Sequence, residues 1–172
     1  MDVQAKPSST EADTQLLRRS FSAYATGVTV VTVGGDAPHG MTANSFTTVS
    51  LDPPLVLVCV GRQAVMHDLM AGAGSFAISV LAAQQEAVAR YFADKRRPLG
   101  AEQFEAVDCV PGLVTGAPLI RGALAHFECK LRAGYDGGDH TIFVGELLSL
   151  DRHLDDKALL FHMGRFHQFD SE

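Results

Sequence analysis

Short segments with an extended pattern dominate the first third of the chain. Residues 27–33 alternate Val with Thr, the period expected of a strand buried on one face. After turn-forming residues at 36–40, residues 41–46 resume an extended pattern that is rich in hydroxyl and amide side chains. The corner at 52–54 (Asp-Pro-Pro) precedes residues 55–60, which are apolar throughout, as expected of a strand covered on both faces. These patterns predict three strands.

The second half of the chain contains a clear hairpin pattern. From residue 122 to residue 132 apolar residues alternate with polar ones, and His126 and Glu128 belong to the polar set. Such a strand is typical of an antiparallel sheet whose second face meets solvent, a ligand or a partner. Residues 136–139 have the composition of a tight turn, and residues 140–150 return as the paired strand.

Three helices are predicted. Thr10 and Asp13 resemble a capping box that opens a helix running through Ala25. Two shorter helices are predicted over residues 64–70 and 82–93. The apolar residues of the first helix share one face, which should dock on the barrel or on a partner: Leu16, Leu17, Phe21 and Tyr24.

A polar tail precedes what the pattern predicts to be one domain. Residues 1–12 are rich in Ser, Thr and acidic side chains, which predicts disorder, and residues 13–172 form the domain. Residues 75–81, 158–163 and 165–169 add strands, and no Gly-x-Gly-x-x-Gly follows a strand. Because antiparallel hairpins outnumber strand–helix repeats, we expect a mainly β fold: an antiparallel closed or split β-barrel with a few peripheral helices.

Composition restricts the classes of partner. The net charge is −6, and the 14 Lys and Arg residues are dispersed, which argues against nucleic-acid binding. No apolar run approaches the roughly 20 residues that span a bilayer, and the polar N-terminus is no secretory signal. Three widely spaced cysteines are expected to be reduced, which favours a cytoplasmic location. No His or Cys pair has metal-ligand spacing, so no metal site is predicted.

Polar side chains in unusual places mark the candidate binding site. Residues 42–45 (Thr-Ala-Asn-Ser) offer donors and acceptors along an extended backbone, which suits the edge of a flat heteroaromatic ring. The alternative is that these hydroxyls satisfy their own strand or turn. Gly27 either caps the preceding helix or lets the backbone approach a ligand. The basic cluster at 95–97 is either a solvated helix cap or an anion site.

Two later positions add candidate chemistry. His140 follows a tight turn at the rim of a sheet, and Asp139 beside it would raise the pKa of the imidazole. The alternative is a surface histidine without a role. Arg165 follows Gly164 and would neutralise either an anionic ligand or a carboxylate at a dimer contact.

Several motifs together resemble the short-chain flavin reductases, the small components that supply reduced flavin to two-component monooxygenases. The resemblance covers roughly residues 16–169 and rests on FSAYATGVTVVTV, GMTANSFTTVSLDPPLVLVCV, GSFAISVLAAQQEAVARYFA, LIRGALAHFECKL and GDHTIFVGEL. It implies an FMN-binding split barrel that forms a homodimer. It also implies an NAD(P)H-dependent reductase of FMN or FAD whose product diffuses to a partner monooxygenase.

The resemblance also implies roles for individual residues. Family members often have Ser or Thr near Ala64 for the flavin phosphate, so the Ala leaves Arg62, Gln63 or Lys95 as substitutes. His140 would flank the nicotinamide and flavin rings, beside Asp139. The other cofactor-binding positions implied are Thr26, Gly27 and Val28 beside the flavin; Thr42, Ala43, Asn44 and Ser45 along its ring and ribityl chain; Cys59, Val60 and Gly61 near its phosphate; and Arg165 and Phe166 near the same pocket.

In such an enzyme a hydride passes from nicotinamide C4 to flavin N5, so the cofactors supply the chemistry and the protein supplies orientation. His140 would then position and polarise the rings more than act as an acid. Two alternatives stay open: a flavin- or haem-binding protein without turnover, and a flavoenzyme that acts directly on an organic substrate. The sequence does not decide between NADH and NADPH or between FMN and FAD.

Overall fold

The computed structural model describes residues 11–153 and 157–168. The helices in these residues are α1 (Glu11–Ser22), α2 (Val65–Ala73) and α3 (Glu86–Ala93), with two 3-10 turns at Ala83–Gln85 and Gly100–Phe104. Gly74 caps the end of helix α2: it has a positive φ of 66°, and its N–H donates to the carbonyl of Met70. The predicted cap at Thr10 and most of the predicted tail lie outside the described residues, but α1 begins at Glu11, inside the predicted tail.

Strands make up more of the described chain than helices do. They are β1 (Thr26–Gly27), β2 (Thr29–Val33), β3 (His39–Ala43), β4 (Thr47–Leu51), β5 (Pro54–Gly61), β6 (Ser75–Val80), β7 (Cys109–Pro111), β8 (Pro118–Ile120), β9 (Ala125–Gly137), β10 (His140–Arg152), β11 (Leu159–His162) and β12 (Arg165–Gln168).

All strand pairs are antiparallel. One sheet has the order β3-β2-β6-β9-β10-β5-β4, and two smaller sheets have the orders β1-β11-β12 and β7-β8. The long β9–β10 hairpin turns through Gly138 and Asp139, and the positive φ of Gly138 (78°) is what a two-residue turn requires. The predicted mainly β, antiparallel split-barrel class with peripheral helices is confirmed.

The core has two parts. One packs α2, through Met66 and Met70, against the large sheet. The other packs Phe92 of α3 against Val28 and Leu159, and so joins the start of β2 to the last strand pair. The site described below lies where these two parts meet the ends of β2, β3 and β5.

The first strands differ from the prediction in three ways. Strand β2 is buried on both faces, not one, because the Thr29 and Thr32 hydroxyls donate to the carbonyls of Ala43 (2.8 Å) and Pro118 (2.7 Å). The extended segment predicted over 41–46 is β3, which begins earlier and ends at Ala43, and β4 was not predicted at all. Strand β5 is fully buried only on alternate residues, so its expected burial on both faces is wrong.

Two further features depart from what the sequence pattern predicted. The polar face of β9 is not open at its first residues: His126 and Glu128 are 5% and 4% exposed, because each has a hydrogen-bond partner in β8 or in the loop before it. Helix α1 ends at Ser22, short of Ala25, and its apolar face does not dock on the barrel, so docking on a partner stays a prediction. The side chains that stay exposed are those of Leu16, Leu17, Phe21 and Tyr24.

Within residues 11–153 and 157–168, no helix combines the length and the hydropathy that crossing a membrane would require.

Candidate functional site

The ends of β2 and β3 lie side by side. Thr29 pairs with Ala43 at the end of their ladder, so Val28 and Asn44 are the next residues outward. The side chains of Val28 and Ala43 are buried in the core, which leaves only their backbone groups for a ligand. Asn44 is exposed. The two predicted segments 26–28 and 42–45 therefore meet at one edge.

Two hydroxyls of this edge are used inside the protein. The Ser45 hydroxyl donates to the carbonyl of Cys59 (2.9 Å) and accepts from its N–H (3.1 Å), which ties the end of β3 to β5. The Thr42 hydroxyl donates to the carbonyl of Ala89 in α3 (2.6 Å). Both hydroxyls therefore bond to the protein's own backbone, which is the alternative to ligand binding that the sequence left open. Their side chains hold the backbone around Asn44 in position.

His140 lies against the end of β5. It pairs with Gly61 in the β5–β10 ladder, and its Nε2 lies 3.7 Å from where a Cβ at Gly61 would be. Its Nδ1 is 2.7 Å from Asp139 Oδ1, and this hydrogen bond lowers the pKa of the Asp139 carboxyl. Because the carboxylate can only accept, Nδ1 carries the proton and Nε2 keeps its lone pair. His140 is therefore a fixed tautomer on a half-exposed rim.

Arg62 holds the hairpin next to this rim. Its Nε donates to the carbonyl of Gly138 (2.9 Å), and its guanidinium pairs with Asp136 (2.6 Å). Its backbone N–H also donates to the carbonyl of Asp139 (3.0 Å). Arg62, named as a substitute phosphate ligand, is thus committed to orienting the turn that carries His140.

A cavity of about 330 Å³ opens beside the turn that follows β5. In this turn the Ala64 N–H donates to the carbonyl of Gly61 (2.9 Å). The turn therefore links Gly61, which pairs with His140, to Ala64, which lines the cavity. Four predicted residues line the cavity: Thr42, Gln63, Ala64 and Lys95. His39 and Arg97 also line it, and none of its described lining residues is acidic. Its charge suits an anion.

Arg97 and His39 form the inner, basic part of this cavity. Arg97 donates to the carbonyl of Asp94 (2.8 Å) and of Gly40, and it lies 3.2 Å from His39 Nε2. Its Nε is buried and has no acceptor in the described part of the chain. Burial, with the charge of Arg97, lowers the pKa of His39 from 6.5 to about 4, so the ring is neutral at pH 7.

The neutral His39 predicts a pH dependence of stability. Its folded-state pKa lies below the unfolded value, so the stability that it contributes is present above pH 6.5 and is lost as the pH falls toward 4. We expect the free energy of unfolding, measured with urea, to fall by about 2 kcal/mol more between pH 7.5 and 5 than in His39→Gln. Glutamine keeps an acceptor for Arg97 but cannot titrate.

His167→Gln, at an exposed position of β12, is the matched control and should keep the pH slope of the parent chain. Equal slopes for the parent chain and for His39→Gln would contradict the prediction.

Four predicted residues lie in a different sheet: Thr26 and Gly27 in β1, and Arg165 and Phe166 in β12. Thr26 pairs with Phe161, which pairs in turn with Phe166, so β1 and β12 flank β11. The Phe166 ring packs in the second core part and lies 4.9 Å from the guanidinium of Arg90. None of the described residues that line the cavity belongs to this sheet. The structure therefore does not bring Arg165 and Phe166 to the cavity, although it places Thr26 and Gly27 just before the β2 edge.

A flavin nucleotide fits the arrangement of the described residues. Its phosphate needs cations, which Lys95 and Arg97 supply, and the buried Arg97 Nε still lacks an acceptor. Its ring edge needs backbone donors and acceptors, which the edge around Asn44 supplies. The basic run at 95–97, which includes Arg97, is one that the sequence offered as an anion site. Sequence reasoning missed His39, because it lies in a segment with turn composition.

Comparisons with known proteins identify the family of the chain. The family model described as "Flavin reductase like domain" matches residues 21–170. The NADH-dependent FAD reductase of Streptomyces globisporus is 58% identical over 153 residues, which are 89% of this chain and 84% of that protein.

Solved structures show the same similarity. The S. globisporus NADH:FAD oxidoreductase SgcE6, in complex with NAD and FAD fragments, superposes with a TM-score of 0.88 at 53% identity and covers 94% of this chain and 95% of that one. BorF, the flavin reductase component of a bacterial two-component tryptophan halogenase, superposes with a TM-score of 0.89 at 56% identity, over 93% of this chain and 100% of that one.

These findings confirm the family that the motifs predicted. They also confirm the enzyme class, an oxidoreductase that reduces FMN or FAD with a nicotinamide donor. The family model covers far more than half of the sequence. The chain belongs to the flavin reductase family.

Proposed function

We propose that this flavin reductase takes hydride from NADH, reduces FAD or FMN, and releases the reduced flavin by diffusion to a partner monooxygenase or halogenase. The observation that carries the proposal is the position of His140 on Gly61, one turn away from the basic cavity of Lys95 and Arg97. NADH is preferred as the donor because the relatives at 58% and 42% identity are NADH-dependent.

The bound flavin supplies the group that accepts hydride, and the chain supplies its orientation. Lys95 and Arg97 bind the phosphate end. The backbone of residues 42–45 and the Asn44 amide bind the ring edge, and the bonds of Thr42 and Ser45 hold that backbone in place. Donors at this edge stabilise the negative charge that reduction places on the ring.

His140 positions the hydride donor. Asp139 fixes its tautomer, so Nε2 presents an acceptor toward the rim at Gly61. An acceptor there suits the carboxamide N–H₂ of nicotinamide. No proton transfer through His140 is required.

We also propose that the chain forms a homodimer and is cytoplasmic. The exposed Leu16 and Phe21 of α1, Tyr24 just after this helix and the exposed Leu51 of β4 support a homodimer, since exposed apolar residues of this kind mark protein contacts. The free thiols of the three cysteines support the cytoplasm, where thiols stay reduced. We assign residues 13–172 to one domain that needs no nucleic acid and no membrane.

The test is NADH oxidation followed at 340 nm with FAD or FMN added to the purified chain. We expect rapid oxidation that depends on added flavin and is faster with NADH than with NADPH. In Lys95→Met the flavin KM should rise about tenfold, because one charged contact to phosphate is lost. Lys130→Met, at an exposed position of β9, is the control and should leave the KM unchanged.

Two outcomes would contradict the proposal. Tight flavin or haem colour without NADH turnover would identify a binding protein. Flavin that stays bound and turns over only with an organic substrate would identify a self-contained flavoenzyme.

A further inference from the structure

Three potential metal ligands meet at the end of the β9–β10 hairpin that lies opposite its turn. His126 and Asp151 are direct partners in the antiparallel ladder, so their side chains lie on the same face. His153 follows on the same side two residues later. Its backbone N–H donates to the carbonyl of Leu124 (2.8 Å), which fixes it beside the start of β9.

The ligand atoms are close enough to share one ion. One nitrogen of each histidine and one Asp151 oxygen all lie within 4.8 Å of one another. His153 Nε2 is 3.4 Å from Asp151 Oδ2, and the two imidazole rings are 5.4 Å apart and nearly perpendicular. Ligands of a tetrahedral zinc ion are about 3.3 Å apart, so small rotations of the exposed His153 and Asp151 side chains complete the geometry.

His126 is oriented as a metal ligand usually is. The residue is 5% exposed, and its Nε2 lies 2.8 Å from the carbonyl of Ile120. A carbonyl only accepts, so Nε2 carries the proton, which leaves Nδ1 as the nitrogen that would bind a metal. A second ring nitrogen that donates to a carbonyl is the outer-shell contact that fixes the tautomer of zinc-bound histidines.

We propose that His126, Asp151 and His153 form a Zn²⁺ site. Two imidazoles and one carboxylate match the preference of zinc for nitrogen and oxygen ligands, and water would fill the fourth position. The side chains of His153 and Asp151 are 53% and 67% exposed, so an ion can enter from solvent. The ion would clamp the open end of the hairpin, whose other end carries His140.

The site is independent of the flavin site and of the proposed reaction. Its ligands are separated from His140 by the length of β10, and none of them lines the cavity of Lys95 and Arg97. Spacing along the sequence could not predict it, because 25 residues separate His126 from Asp151 and only the strand register brings them together.

Calorimetric titration of ZnCl₂ into the full chain, after treatment with a chelator and its removal, tests the site. We expect saturable binding of one equivalent and a rise in Tm with zinc. His153→Ala and Asp151→Asn should each weaken binding at least about tenfold, since each removes a direct ligand. Both side chains are exposed, so both variants should fold. His126→Gln keeps a donor for Ile120 and should also abolish the Tm rise.

The control is His167→Ala, which removes an exposed histidine whose ring lies 5.9 Å from that of His162. It should bind zinc as the parent chain does. Absence of saturable binding would overturn the proposal. Zinc binding that survives both His153→Ala and Asp151→Asn would also overturn it, because the ion would then lie elsewhere, for example on the free cysteines.

Discussion

Replacing His140 with alanine lowers kcat/KM for NADH by about 10- to 100-fold and changes the affinity for flavin by less than about threefold. The ring lies over Gly61 at the rim and is no part of the basic cavity, so its loss affects the placement of nicotinamide more than that of the flavin. Steady-state kinetics with varied NADH, together with flavin titration by fluorescence, separate the two effects.

Asp139→Asn distinguishes a positioning role from direct contact. Its side chain still reaches His140 Nδ1 but no longer selects one tautomer, so we expect an intermediate loss of about two- to fivefold. The side chain of His140 is 48% exposed, so the Tm of both variants should match that of the parent chain. Unchanged kcat and KM for NADH in His140→Ala would remove this residue from the site.

Local sequence chemistry predicted the part of the site that one short stretch encodes. Gly138 and Asp139 mark the turn, the strands beside it alternate in polarity, and His140 follows at the rim. The edge at Asn44 was also predicted from its position in an extended, hydroxyl-rich segment. Such features depend on neighbours in the chain, so a single sequence is enough to locate them.

The remaining features depend on contacts between distant residues. Ser45 bonds to Cys59 and Arg97 reaches His39, so neither set of partners can be inferred from spacing. Strand β2 is buried on both faces, and its Thr29 and Thr32 hydroxyls find acceptors at Ala43 and Pro118, which are distant in the sequence. The alternation of apolar and polar residues along a strand predicts which residues share a face. It does not predict which other part of the chain covers that face.

The burial of Glu128 also depends on distant residues, although the alternating pattern of β9 placed this residue on an open face. Its Oε2 accepts the N–H of Val114 (3.1 Å) and both the N–H and the hydroxyl of Thr115 (2.7 Å each). One buried carboxylate therefore holds the loop between β7 and β8 against the sheet.

Glu128→Ala should lower the free energy of unfolding by about 3 kcal/mol, because three donors lose a charged acceptor at a buried position. Glu146→Ala, on the paired strand β10, is the matched control. Its carboxylate lies 3.4 Å from Arg132, and both side chains are more than 40% exposed, so we expect a loss below about 1 kcal/mol. Urea unfolding at pH 7 measures both, and equal losses would contradict the buried role of Glu128.

The difference in unfolding free energy between the parent chain and Glu128→Ala should also depend on pH, which gives a second check. Burial acts to raise the pKa of Glu128, but the hydrogen bonds from Thr115, Val114 and Leu113 outweigh it, and the pKa lies below its ordinary value of 4.5. A carboxyl with a lowered folded-state pKa contributes stability that is complete above the unfolded value and is lost as the pH falls through the folded one. The gap in stability between the parent chain and Glu128→Ala should therefore be constant from pH 7 to about 5 and shrink below about 4.5. A gap that persists unchanged at lower pH would show that the lost side-chain packing, and not the charge, stabilises the loop.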